Sequence, residues 1–254
     1  MKPNIEKWFG LEGLTAVVAG ASGTIGSACA QALYDCGAKV IGFDADVKDN
    51  LPGKNIKLDI TAASELDKFI TGLRDEKGEA WAFINCSYPH TAKWGSLAFE
   101  NVSADEWNQN VQLHLGSAFY FTQKAVEFLK ERGGGSIINF GSIYGLVGPN
   151  LEIYSGTNMT NAAPYSAIKA GIIGLSRYVA TVYGEKNIRA NVVAPGGLKS
   201  SQPDSFVKSY EKHTPLRRMG TTEDIAGVVA FLVGPSAKYI TGQVIAVDGG
   251  WTAW

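Results

Sequence analysis

Tyr165 and Lys169 lie four residues apart in the stretch Ala163-Pro164-Tyr165-Ser166-Ala167-Ile168-Lys169-Ala170-Gly171. On a helix that spacing puts both side chains on one face. An ammonium beside a phenol favours the phenolate and lowers a pKa that is ordinarily about 10. Tyr165 is thereby a candidate general acid/base near neutral pH. A solvated helix face would carry the same pair, so other residues must decide. The second set is Gly20-Ala21-Ser22-Gly23-Thr24-Ile25-Gly26, directly after an apolar run. A glycine turn between strand and helix lets backbone N–H groups and the helix N-terminus approach a pyrophosphate. Gly20, Ser22, Gly23, Thr24, Ile25 and Gly26 are therefore candidate cofactor contacts. Their spacing is G-x-x-G-x-x-G rather than G-x-G-x-x-G, and a simple tight turn would read alike. The third is Asp44, 18 residues after Gly26 at the end of an apolar run. A carboxylate there accepts hydrogen bonds from an adenosine ribose and repels a 2′-phosphate. An ordinary loop acid is the competing reading.

These residues need elements to hold them. Leu14–Ala19 reads as a buried strand and Ser27–Cys36 as the helix after the glycine turn. Strands follow at Lys39–Phe43, Ile56–Leu58 and Trp81–Ile84, with a polar helix from Ala62 to Lys77 between the last two. A long amphipathic stretch runs from Ala104 to Arg132, opened by Asp105 and Glu106 and stopped by Gly133-Gly134-Gly135. Further strands are expected at Ser136–Phe140, Ile188–Ala194 and Gln243–Val247. The Tyr165 helix runs to about Glu185, and a last helix covers Thr222–Leu232. Short apolar strands alternating with helices predict an α/β fold with a parallel, doubly wound sheet. An irregular stretch before Pro164 is long for a loop without a function. A variable polar segment at about 198–219 looks like a lid over the substrate.

Composition bounds the function. The chain has 254 residues, 45% hydrophobic and 19% charged, and a net charge of −1. That balance gives ample core and no electrostatic case for nucleic acid or an anionic membrane. No apolar run reaches spanning length, and the start lacks a signal-peptide core. Cys29, Cys36 and Cys86 are odd in number and lack metal spacing. They read as reduced thiols of a cytoplasmic protein, with Cys29 and Cys36 on one helix face. No metal site is expected. No repeat or linker divides residues 1–254, so one domain is expected.

The order of motifs resembles the short-chain dehydrogenase/reductase family over roughly residues 10 to 250. The resemblance rests on the glycine turn, Asp44, Asp59-Ile60, Asn85, Ser142, Tyr165-x-x-x-Lys169, Pro195-Gly196 and Tyr239-Ile240-Thr241-Gly242 with Val247-Asp248-Gly249-Gly250. It implies a Rossmann-like, seven-stranded parallel sheet with helices on both faces and a nicotinamide cofactor along its carboxyl edge. It places Asp44 on the adenosine ribose, favouring NAD over NADP. Asp59 and Ile60 would flank the adenine, Asn85 and Ser87 a ribose, and Pro195, Leu198 and Ser200 the nicotinamide end. Tyr165 would exchange a proton with the substrate oxygen, Lys169 would lower its pKa, and Ser142 would hold the oxygen. The transferred group is a hydride. The family habit is a dimer or tetramer.

Departures from the pattern locate what is particular to this chain. The family's active-site Asn aligns with His114 in Leu113-His114-Leu115. An imidazole titrates near neutrality, so His114 either joins a proton relay or tunes the pair, or it is a core residue with no part in catalysis. Tyr88 replaces a small residue near the cofactor. Ser142 and Tyr165 are 23 apart, more than the family usually shows. The extra residues, in an insertion at about 146–162, form either a substrate wall using Glu152, Tyr154 and Asn158 or a surface decoration. Asn85-x-x-Tyr88-Pro89 with Ile153-Tyr154 is similar to a subgroup near nonulosonate and flagellar-glycan biosynthesis. His90 and His213 are expected in loops. Arg217 and Arg218 are either part of a family-wide segment or phosphate ligands. Trp251 and Trp254 suggest a subunit contact. The expected activity is NAD-dependent interconversion of a secondary alcohol and a ketone on a small polar, sugar-like molecule. The alternatives are a nucleotide-binding module with little or no turnover and a methyltransferase, which needs neither Tyr165 nor Lys169.

Overall fold

A computed structural model describes residues 5–48, 51–95 and 99–254. Seven parallel strands form one sheet in the order β3-β2-β1-β4-β5-β6-β7. They are β1 (Leu14–Ala19), β2 (Lys39–Asp44), β3 (Lys54–Lys57), β4 (Ala80–Asn85), β5 (Gly135–Phe140), β6 (Ile188–Pro195) and β7 (Val244–Val247). The order reverses between β1 and β4, and the crevice outside the carboxyl ends of those two strands is where such sheets take ligands. Every residue of β1 is buried, as a central parallel strand covered on both faces requires.

The helices are α1 (Glu6–Phe9), α2 (Thr24–Asp35), α3 (Ala63–Gly72), α4 (Ala104–Asn110), α5 (Ser117–Glu131), α6 (Ala163–Tyr183), α7 (Asp204–His213) and α8 (Thr222–Val233). Alternation along the strands divides the core in two. Ala16, Val18, Ile84 and Val193 pack with Cys29 and Leu33 of α2 and with Ile225 and Val229 of α8. Val17, Ala19, Phe43 and Phe83 pack with Leu66 of α3, Phe121 of α5 and Val179 of α6. The two layers cover opposite faces of the sheet, as expected.

The expected boundaries need several corrections. The third strand lies earlier than Ile56–Leu58, because its pairing with Ile41–Asp44 begins at Lys54. The helix after the glycine turn starts at Thr24, and Cys36 is its C-terminal cap rather than a residue on its face. The stretch from Ala104 to Arg132 is interrupted: Val111–Gly116 form a wider π-helical turn between α4 and α5. His213 is the last residue of α7, not a loop residue. Trp251 is buried within its own chain, stacked on Tyr210 with ring centres 4.5 Å apart, while Trp254 remains exposed. All three cysteines are free thiols.

A buried polar link fixes the helix that carries the tyrosine. Asn139 of β5 donates from Nδ2 to Ser176 Oγ of α6 at 3.1 Å, and Thr122 of α5 donates to Asn139 Oδ1 at 3.4 Å. α6 has Pro164 in its first turn and buries Ile168, Lys169, Ile172 and Ser176 on one stripe. The period of that stripe turns Lys169 inward. Among the described residues no helix is long and apolar enough to cross a membrane.

Candidate active site

Glycine shapes the crevice at the sheet's reversal. Gly20 has φ +72°, and a Cβ there would lie 2.7 Å from the Ser87 amide nitrogen. A side chain at Gly26 would come within 2.0 Å of the Gly20 carbonyl oxygen, so helix and turn pack only without one. The N-terminus of α2 has no side-chain cap and no acid in its first turn. Its first N–H groups are left for an anion. Ser22 is structural: its N–H donates to Asp44 Oδ2 at 3.0 Å, and its hydroxyl accepts from the Lys48 N–H at 3.1 Å. Asp44 is held at the end of β2 facing a crevice of about 310 Å³, whose walls include Gly20, Asp59, Ile60 and Ser87. These residues fit the adenosine half of a dinucleotide.

The crevice continues into a cavity of about 690 Å³. Gly23, Thr24, Ile25, Ser87, Pro195 and Leu198 line it together with Ser142, Tyr165 and Lys169. Two expected contacts fall outside. Asn85 lines neither space; its Oδ1 accepts from the N–H and hydroxyl of Ser87 at 3.2 and 2.6 Å and so sets that residue. The Ser200 N–H donates to Gln202 Oε1 at 2.6 Å, and Ser200 is exposed.

The reacting group differs from the expectation in one respect. Burial raises the Tyr165 pKa, and a hydrogen bond with the Ser142 side chain only partly offsets it. Lys169 does not lower it, because the amine is itself buried and its pKa falls to about 7. Lys169 Nζ lies 5.7 Å from the Tyr165 ring centre, donates to the Phe140 carbonyl at 2.9 Å and meets His114 Nε2 at 3.3 Å. With both groups desolvated, neither carries its charge at low cost.

His114 does not titrate near neutrality. Burial and the neighbouring Lys169 push its pKa down to about 2, so the imidazole stays neutral. It sits in the π-helical turn, and its Nδ1 is buried without a partner among the described residues. To accept from Lys169 at Nε2, the ring must carry its proton on that orphan Nδ1. His114 is thus both core residue and lysine partner.

The outer wall combines residues that sequence reasoning named with others it missed. Tyr154 and Asn158 of the insertion line the cavity, while Glu152 does not. Tyr88 packs against His114 and Tyr165, with ring centres 4.9 and 6.1 Å apart. His90 is not an idle loop residue: it stacks on Trp94, whose indole donates to Tyr88 Oη at 2.9 Å. Asn110 ties this loop to α4 by accepting from the Thr91 N–H at 3.0 Å. Trp94, Tyr144, Phe206 and Tyr210 were not anticipated. Phe206, Val207 and Tyr210 are the apolar residues of an otherwise polar α7 and carried a readable signal; Trp94 had none. Arg218 pairs with Asp224 through two hydrogen bonds of 2.6 and 2.7 Å and does not line the cavity. Among the described residues no cluster of His, Cys, Asp and Glu could hold a metal.

Comparison with known proteins agrees with this geometry. The family model described as enoyl-(acyl carrier protein) reductase matches residues 19–252. Post-translational flagellin modification protein A of Campylobacter coli is 34% identical over 256 residues, covering 95% of this chain and 99% of the relative. The 3-oxoacyl-(acyl-carrier-protein) reductase of Salmonella typhimurium is 31% identical, covering 94% and 97%. A short chain dehydrogenase from Leptospira borgpetersenii, crystallised with NAD+, superposes with a TM-score of 0.85 at 32% identity, covering 99% of this chain and 97% of that one.

Proposed function

The chain belongs to the short-chain dehydrogenase/reductase family of oxidoreductases, and from that premise we propose NAD-dependent interconversion of a secondary alcohol and a ketone on a small polar, sugar-like substrate. The observation that carries the reading is the meeting of Ser142, Tyr165 and Lys169 at the inner end of a crevice edged by Asp44. The family uses a nicotinamide dinucleotide; its preference here for NAD is supported by the Asp44 carboxylate, which would repel a 2′-phosphate. Gly20, Gly23, Thr24 and Ile25 would hold the pyrophosphate, with Asp59 and Ile60 beside the adenine. The nicotinamide, when bound, supplies the hydride acceptor or donor.

The chain's own residues then manage a proton and an orientation. Ser142 holds the substrate oxygen beside Tyr165. In the oxidising direction Tyr165 Oη takes the alcohol proton; in the reducing direction it gives that proton to the forming alkoxide. Lys169, fixed by the Phe140 carbonyl and His114 with its amine 5.7 Å from the Tyr165 ring centre, would ease this exchange when it is protonated. One relative is named for flagellin modification and another for reduction of 3-oxoacyl groups on acyl carrier protein, so the polar reading of the substrate is supported by the insertion residues Tyr154 and Asn158 in the cavity lining.

Turnover is read from the reduced-nicotinamide absorbance. Wild type with NAD and a panel of polyols and sugars is expected to change it. Tyr165→Phe, which lacks the proton carrier, is expected to lose on the order of 10²-fold or more in kcat. Near-normal turnover by that variant refutes the assignment. A protein that binds NAD yet leaves it unchanged with every alcohol would favour the binding-module reading.

A further inference from the structure

The side of the cavity facing Ser142 and Tyr165 is aromatic. Tyr88 and Trp94 come from the loop after β4, Tyr144 and Tyr154 from two short turns, and Phe206 and Tyr210 from α7. Tyr144, Phe206 and Tyr210 are buried and back this wall, while Tyr88, Trp94 and Tyr154 are the rings with exposed surface. Tyr88 Oη accepts from Trp94 and keeps its own proton to give. Tyr154 Oη donates to Tyr144 Oη at 3.4 Å, which leaves the Tyr144 proton free. Burial raises the pKa of Tyr88 and Tyr144 and moves Tyr210 to about 12, so these phenols stay protonated.

Charge is what the cavity lacks. Among the described residues lining it there is no Arg, His, Asp or Glu. Lys169 lines it, but its amine is engaged by the Phe140 carbonyl and His114 beneath the tyrosine. Residues 96–98 are Ser, Leu and Ala and bring no ionisable side chain. A carboxylate or phosphate against this wall would lose water and meet no cationic side chain of the described lining other than the engaged Lys169, a cost above that of a neutral hydroxyl.

Resting on the oxidoreductase reading above, we propose that the substrate is an uncharged, hydroxyl-bearing ring compound. Its apolar face lies on the aromatic wall, and its carboxylated or phosphorylated counterparts are rejected. The hydrogen-bonding edge is met by tyrosine hydroxyls and by Asn158 at the rim. An acidic sugar is excluded as substrate, while its neutral precursor or ester is admitted.

The test pairs each neutral compound with its matching acid: methyl glucoside with methyl glucuronide, N-acetylglucosamine with N-acetylmuramate, and cyclohexanediol with the corresponding hydroxy acid. Turnover is followed with NAD, and binding to the NAD-loaded protein is followed by calorimetry. Neutral members are expected to exceed their acids by on the order of 100-fold in kcat/KM or affinity. Asn158→Arg, which places a cation at the rim, is expected to narrow that gap at least tenfold. Acids that bind as well as their neutral partners, or calorimetry in which no neutral member binds, overturn the inference. Neutral members that bind selectively but leave the cofactor unchanged sustain it while overturning the oxidoreductase reading.

Discussion

Lys169 carries an electrostatic conflict. Its ammonium is needed beside a phenol, yet burial brings its pKa from 10.5 down to about 7. Between those values the unfolded chain holds a proton that the folded chain has released, so stability rises with pH across that window. The contribution is complete above about 10.5 and is lost as pH falls to about 7. Lys169→Met removes the titration. In scanning calorimetry of the cofactor-free protein, the Tm of the Met variant relative to wild type is expected to climb as pH is lowered from 10.5 towards 7 and to level off below. A difference independent of pH would contradict the buried, readily deprotonated amine. The four-residue spacing of Tyr165 and Lys169 was legible because a helix's period is local. The direction of the tyrosine's shift was not. It depends on burial that no local window contains, and on Ser142 and Tyr154, brought in from other elements.

At the scale of elements, parallel strands that end together place the glycine turn, Asp44 and Ser87 along one edge. Asp44 closes β2, and the Ser22 N–H at 3.0 Å holds its carboxylate against the turn. Asp44→Ala is expected to raise the ratio of NADP to NAD in kcat/KM by about tenfold, since a repelled phosphate is readmitted and a ribose partner is lost. An unchanged ratio would remove Asp44 from the ribose. Strands and helices read well from apolar runs. The break in 104–132 did not, because one extra residue in a turn leaves an amphipathic pattern almost intact. The third strand was misplaced because its register is set by pairing with β2, not by its own apolar residues. Motif position brought Ser200 to the nicotinamide end; in the structure its N–H donates to Gln202 Oε1, and Ser200 lines neither space.

At the scale of the molecule, two apolar layers sandwich the sheet, and α6 meets it through the Asn139–Ser176 link. The outer surfaces of α5 and α6 leave Phe119, Tyr178 and Val182 exposed. Tyr178 and Val182 are four apart and share a face. We expect this face to join copies of the chain into a dimer or tetramer. Light scattering is expected to give a multiple of 27.1 kDa for wild type and a single chain for the Tyr178→Glu, Val182→Glu variant. A monomeric wild type would refute it.

Cys86, Ser87 and Tyr88 line both the adenosine-side crevice and the larger cavity. The two chambers therefore have a common partition, and a larger side chain at any of these three positions would narrow both at once.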